Sequence, residues 1–208
     1  MNRNVLKLAI AITILITVTG CKEKTETALT TMHSGHHPAT GKNYADSVNA
    51  GIIAIDTLNG SPVRVAMAFI GSNHVHIEYG SPGVRGRVIW GGLVAYDHVW
   101  ATGAHHATSI EFSRNVQVGD SILNRGKYAL FSVPGKTTWE VIINKNWDQH
   151  LTDEYRMQDD RVRVTVTPEI LEVPVQRLTY RIEKVSNQEG LIVMEWEKIR
   201  IKLPFKTR

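Results

Sequence analysis

A single cysteine, Cys21, stands in a chain of 208 residues, and it lies directly behind an apolar N-terminal run. The rest of the chain therefore has no disulfide and no thiol for nucleophilic or metal chemistry. Charge of one sign is scarce as well: 24 Lys and Arg against 20 Asp and Glu leave a formal net charge of +4, with no basic block of the kind that tracks a phosphate backbone. No nucleic-acid partner is expected. Also missing are the GxSxG elbow, the HExxH helix, the GxxxxGKS/T loop and the GxGxxG turn. Hydrolysis through a standard nucleophile motif and use of a nucleotide cofactor are accordingly not expected, and no residue is assigned a catalytic role. Long apolar runs are absent too, because Leu8 to Val18 falls short of the roughly 18 residues that cross a bilayer.

What the N-terminus does contain is a processing signal. Arg3 and Lys7 precede that apolar run, and Val18-Thr19-Gly20-Cys21 fits a lipoprotein cleavage box. Residues 1–20 are read as a signal peptide and Cys21 as the lipidated N-terminus. This anchors the protein to a membrane of the cell envelope, on its periplasmic or cell-surface side. Residues 21–45 read as a flexible tether, rich in charge, Thr and Gly, whose Met32, His33, His36 and His37 form a short metal-friendly tract.

Residues 46–208 form a single domain with a two-residue apolar period. Val63, Val65, Met67 and Phe69 alternate with Arg64, Ala66, Ala68 and Ile70, and similar short strands recur to Leu203. Near Glu197 or Lys198 the apolar parity flips, which predicts a β-bulge. Little helical period is present, apart from Trp147, Leu151 and Tyr155 at every fourth position, which predict a short helix over 146–157. The fold class is all-β: an antiparallel β-sandwich or open barrel with one short helix.

Candidate chemistry gathers around Tyr79 to Thr108. On the preceding strand, His74, His76 and Glu78 leave one face, and two-residue spacing sets His74 and His76 roughly 6.5–7 Å apart at Cα. His105 or His106 could complete a set of N/O ligands suited to a divalent transition metal such as Zn or Cu, with His150 as a further donor. Arg85 and Arg87 suit a carboxylate, sulfate or phosphate, or else pair with Glu78, Glu111 or Asp148. Trp90, Tyr96, Trp100 and Trp147 either wall a small-molecule pocket or fill the core. Thr102 presents its hydroxyl to such a pocket or ties the loop to its own backbone.

The run Tyr79-Gly80-Ser81-Pro82-Gly83-Val84-Arg85-Gly86-Arg87, with Ile89 to Val94, Val99 to Ala104, Gly126 to Phe131, Asn144 to Gln149 and Met194-Glu195-Trp196, resembles a bacterial family called domain of unknown function 2911. The resemblance implies a secreted or lipid-anchored β-rich domain and no defined activity. Ala101 stands where an Arg is common in that family, and His105-His106 where acidic or amide residues are common, which implies a histidine-rich branch. Together these readings describe a lipid-anchored envelope binding protein with a His-rich divalent metal site and a small molecule or metal ion as partner. The alternatives are a metal-dependent hydrolase acting on an anionic substrate, or a structural module that binds a protein partner.

Overall fold

Alternating apolar residues become strands almost everywhere the sequence predicts them. A computed structural model describes residues 40–208, so the segment read as a signal peptide, the expected lipidation at Cys21 and the residues Met32 to His37 of the segment read as a tether lie outside the described residues. An α-helix, α1 (Thr40–Asn49), precedes ten strands. These are β1 (Val63–Ile70), β2 (Asn73–Gly80), β3 (Ser109–Phe112), β4 (Val116–Val118), β5 (Ser121–Leu123), β6 (Gly126–Pro134), β7 (Trp139–Asn144), β8 (Asp160–Val166), β9 (Glu169–Lys184) and β10 (Glu189–Thr207).

Two antiparallel sheets form from them, one of six strands in the order β1-β2-β3-β6-β7-β8 and one of four in the order β5-β4-β10-β9. The fold is a sandwich rather than an open barrel. Inward residues of both sheets make the core: Val75, Ile77, Ile110, Phe112 and Ile143 from the larger sheet, with Leu178, Ile192, Met194, Trp196, Leu203 and Phe205 from the smaller. Each such side chain contributes about 1.5–3 kcal/mol when fully buried. The predicted bulge is present, with register shifts on both sides of Glu197, whose φ is +54°. It lets Trp196 and then Ile201 face the core although their parities differ.

A second, smaller cluster joins Ala129, Phe131 and Ile142, on the alternate residues of β6 and β7, to Ala101 and Ala107 of the chain between β2 and β3. Those strands are therefore buried on both faces, one by the sandwich and one by residues of the long connection between β2 and β3. This explains the continuous apolar run of Tyr128 to Val133.

Two elements depart from the sequence reading. Residues 146–156 are turns and bends rather than an α-helix, and Met157 only opens a one-turn 3-10 helix, Met157–Asp159. Side-chain amides take the backbone groups a helix would use: Asn144 Oδ1 accepts from the Asn146 N–H at 2.8 Å, Gln149 donates to the Asn146 carbonyl at 2.7 Å, and Gln149 Oε1 accepts from the Glu154 N–H at 3.0 Å. The α-helix lies instead at α1, across the end of the segment read as tether. Ala45 and Val48 are buried, and Asn49 exchanges two hydrogen bonds with the backbone of Arg177 on β9, at 2.7 and 2.9 Å.

Candidate functional site

Residues 81–108 connect β2 to β3 and visit both sheets on the way. Val84 N–H donates to the Gln176 carbonyl at 2.7 Å and Leu178 N–H to the Pro82 carbonyl at 3.0 Å, so residues 82–84 run beside β9. Farther on, Trp100 and Ser132 exchange N–H···O bonds of 2.7 and 3.0 Å, so the chain then runs beside β6. Between these points lies a cleft of about 300 Å³, lined among others by Arg85, Arg87, Leu93, Trp100, His105 and Trp196.

The arginines at this cleft have no acidic partner among the described residues. Arg85 touches the Leu58 carbonyl and Asn59 Oδ1, both at 3.4 Å, while Arg87 donates to the carbonyls of Val84 and Gly83. Pairing with Glu78, Glu111 or Asp148 does not occur. Two solvent-exposed guanidiniums thus keep most of their donors available beside one cavity.

Aromatic rings supply the apolar side. Trp100 and Trp196 stack with centroids 5.8 Å apart and planes 22° apart, and Trp90 meets both edge-on at 5.7 and 5.8 Å. Trp139 joins this group at 4.9 Å from Trp90. Trp90 and Trp100 both pack against the core, and Trp100 also lines the cleft. Trp196 is 1% exposed, yet its indole Nε1–H has no hydrogen-bond partner among the described residues. The Trp90 Nε1–H is buried and unpaired in the same way, and leaving a buried donor unpaired costs about 1–3 kcal/mol.

Backbone strain is concentrated here. Arg85, Asp97, Thr102 and His105 have φ of +46°, +61°, +52° and +69°. For a β-branched Thr this is a true outlier, and such conformations cost on the order of 1–3 kcal/mol each and cluster at functional sites. Thr102 itself does not reach the cleft as a ligand group. It is 1% exposed, and its hydroxyl donates to the Trp100 carbonyl at 3.1 Å and lies 3.0 Å from Ser132 Oγ, whose own hydroxyl can donate back. Its carbonyl in turn accepts from Thr108 at 3.0 Å and from Tyr180 at 2.9 Å. Burial, with the neighbouring Tyr79 adding to it, pushes the Tyr180 phenol well above its ordinary pKa, so it stays a neutral donor. A Cβ on Gly103 would collide with the Thr108 hydroxyl, so that glycine serves this knot rather than a ligand.

Arg177 and Asp56 fix the first half of the connection. Arg177 is fully buried, pairs with Asp56 at 2.8 Å, and donates to the carbonyls of Leu58, Ser81 and Gly60 at 2.6, 3.0 and 3.3 Å. Beside Trp196, Glu195 is also buried. Desolvation, the largest influence, raises its pKa, but hydrogen bonds from Arg181 and Arg200 together hold it below the ordinary carboxylate value.

The histidines fall in three places. His74 and His76 sit on the outer face of β2 with ring centroids 6.1 Å apart. His105 lines the arginine cleft, whereas His106 faces His150 at 6.5 Å, where His150 Nδ1 lies 2.9 Å from Asp153 Oδ2. Glu78 borders a separate polar cleft of about 220 Å³ with His106, Lys127, Trp147 and Asp148. Among the described residues no three of His, Cys, Asp and Glu converge to hold an ion. Strand length is the reason. His105 and His106 lie beside Gly80, and six residues of strand, roughly 20 Å, separate Gly80 from His74.

Sequence reasoning missed Trp196, Arg177 and Asp56 as parts of this arrangement. A family model described as "Protein of unknown function (DUF2911)" matches residues 61–205, a span that includes the whole connection and both sheets. No curated protein and no solved structure matches the chain.

Proposed function

The chain belongs to the DUF2911 family of proteins of unknown function, and from that premise we propose that it is a lipid-anchored binding protein of the cell envelope whose ligand is a small organic anion with a flat apolar body. The observation that carries this reading is the pair of guanidiniums, Arg85 and Arg87, free of carboxylates and beside the stacked Trp100 and Trp196. Planar forks match a carboxylate, sulfate or phosphate group, and an aromatic wall takes the apolar remainder. A cleft of about 300 Å³ is at the small end of ligand sites, which sets the size of the guest.

Anchoring rests on the sequence at Val18 to Cys21. Expressed in a bacterium, the full chain is expected in the membrane fraction, and Cys21→Ser is expected to move it to the soluble fraction. Retention of Cys21→Ser in the membrane would remove the anchor from the account.

Binding is tested by titrating the mature chain with benzoate, phenyl phosphate and phenyl sulfate, and with uncharged benzyl alcohol, while following tryptophan fluorescence. At least one anion is expected to change the emission saturably at concentrations where benzyl alcohol does nothing. Equal responses to charged and uncharged probes would remove the arginines from the site.

A further inference from the structure

The outer face of the six-stranded sheet carries a second group of donors, remote from the arginine cleft. Met67 on β1 is the register partner of His76 on β2, and Phe69 that of His74. Directly opposed residues share a face, with Cβ atoms about 4.5–5.5 Å apart. Met67, Phe69, His74 and His76 therefore project together from the edge of the sheet, and Met67 and Phe69 are 59% and 66% exposed. Neither imidazole has a hydrogen-bond partner among the described residues; their rings lie against each other, and the His74 ring lies 4.8 Å from that of Phe69.

We infer that His74, His76 and Met67 form a binding site for a monovalent soft cation, Cu(I). A metal–nitrogen bond of about 2 Å puts a ring centre roughly 3.2 Å from the ion, so two imidazoles on one ion lie within about 6.4 Å of each other. The separation of 6.1 Å meets that limit. The third donor is the thioether opposite His76, and imidazole with thioether is a set that selects Cu(I) over harder cations. A harder set is not assembled. Glu111 is the partner of His76 on the other side, but it does not join the two histidines in a metal-holding group. The exposed Phe69 ring shields one flank of the ion from water, which further favours the less hydrated monovalent state.

The site is independent of the anion cleft, and its test is separate. The tether donors are removed in the full mature chain (Met32→Ala, His33→Ala, His36→Ala, His37→Ala) so that they cannot contribute. That protein is then titrated anaerobically with Cu(I) against the chromophoric chelator bathocuproine disulfonate. One equivalent of Cu(I) is expected to be held. Met67→Leu and His76→Ala are each expected to weaken it by at least the roughly tenfold that loss of even an outer-shell partner costs, whereas Glu111→Gln leaves it unchanged. Met67 is exposed, so its Leu variant keeps the melting temperature of the parent. Failure of the parent to hold Cu(I), indifference to Met67→Leu, or a loss from Glu111→Gln as large as that from Met67→Leu would each overturn the assignment.

Discussion

Arg177→Met is expected to destabilise the domain by about 3–5 kcal/mol, the cost of breaking a buried ion pair from one side. At this chain length that corresponds to a fall in melting temperature of roughly 6–20 °C. The side chains of Arg177 and Asp56 are 0% and 4% exposed, so water cannot replace the guanidinium. Its removal strands the Asp56 carboxylate, whose Oδ2 already lacks a partner, together with the carbonyls of Leu58, Gly60 and Ser81. Among the described residues, Tyr44 and the Leu58 N–H, each 3.2 Å from Asp56 Oδ1, are all that remain to it. Removing both charges with Asp56→Asn/Arg177→Met is expected to cost less than the sum of the single changes, because the variant leaves no uncompensated charge. Thermal melts of the three variants check this, and additive losses would show that the pair is not coupled. Ser81 opens the connection that carries Arg85 and Arg87, so Arg177→Met is also expected to weaken anion binding without touching the ligand.

Arg85→Gln/Arg87→Gln is expected to weaken binding of the preferred aromatic anion by about a hundredfold with little change in stability. A hydrogen bond to a charged group contributes about 1.5–3 kcal/mol, and every 1.4 kcal/mol is tenfold in affinity. Both guanidiniums are exposed, which sets the effect near the lower bound, about tenfold for each. Stability changes little because the two side chains touch only carbonyls and one Asn in the free protein. Titration of the single and double variants with the same anion measures it. An unchanged dissociation constant in the double variant would exclude both arginines from recognition.

The sheets were readable because a half-buried strand imposes a period of two, and Val75, Ile77 and Tyr79 against His74, His76 and Glu78 show it directly. The bulge at Glu197 was readable for the same reason, as a change of parity. Spacing failed at residues 146–157, where Trp147, Leu151 and Tyr155 mimic a helical face but Asn144, Asn146 and Gln149 capture the backbone. Of the cleft, Arg85, Arg87 and Trp100 were legible because they lie in one unusual segment. Of the two roles open to Thr102, the structure shows the second, its hydroxyl tying the connection to the Trp100 carbonyl. Arg177 was not legible, since alternation with the core residues Leu178 and Tyr180 puts it on the outer face of β9, where a charge normally meets water. Here α1 and the segment around Asp56 cover it, and no local pattern announces that cover. Trp196 reads as one more core aromatic, and only its place along the cleft beside Trp100 in three dimensions sets it apart.

The central claim, that the cleft between β9 and β6 holds an anion by Arg85 and Arg87 against Trp100 and Trp196, is tested most directly by NMR on ¹⁵N-labelled protein. Phenyl phosphate is titrated in while the indole N–H signals of all five tryptophans are followed, with Trp147 as the internal control because it borders a different cleft. The account predicts saturable shifts of the Trp100 and Trp196 indoles, absent in Arg85→Gln/Arg87→Gln, with Trp147 unmoved. Trp100 and Trp196 signals that stay fixed at saturating phenyl phosphate, or that move equally in the double variant, would contradict it.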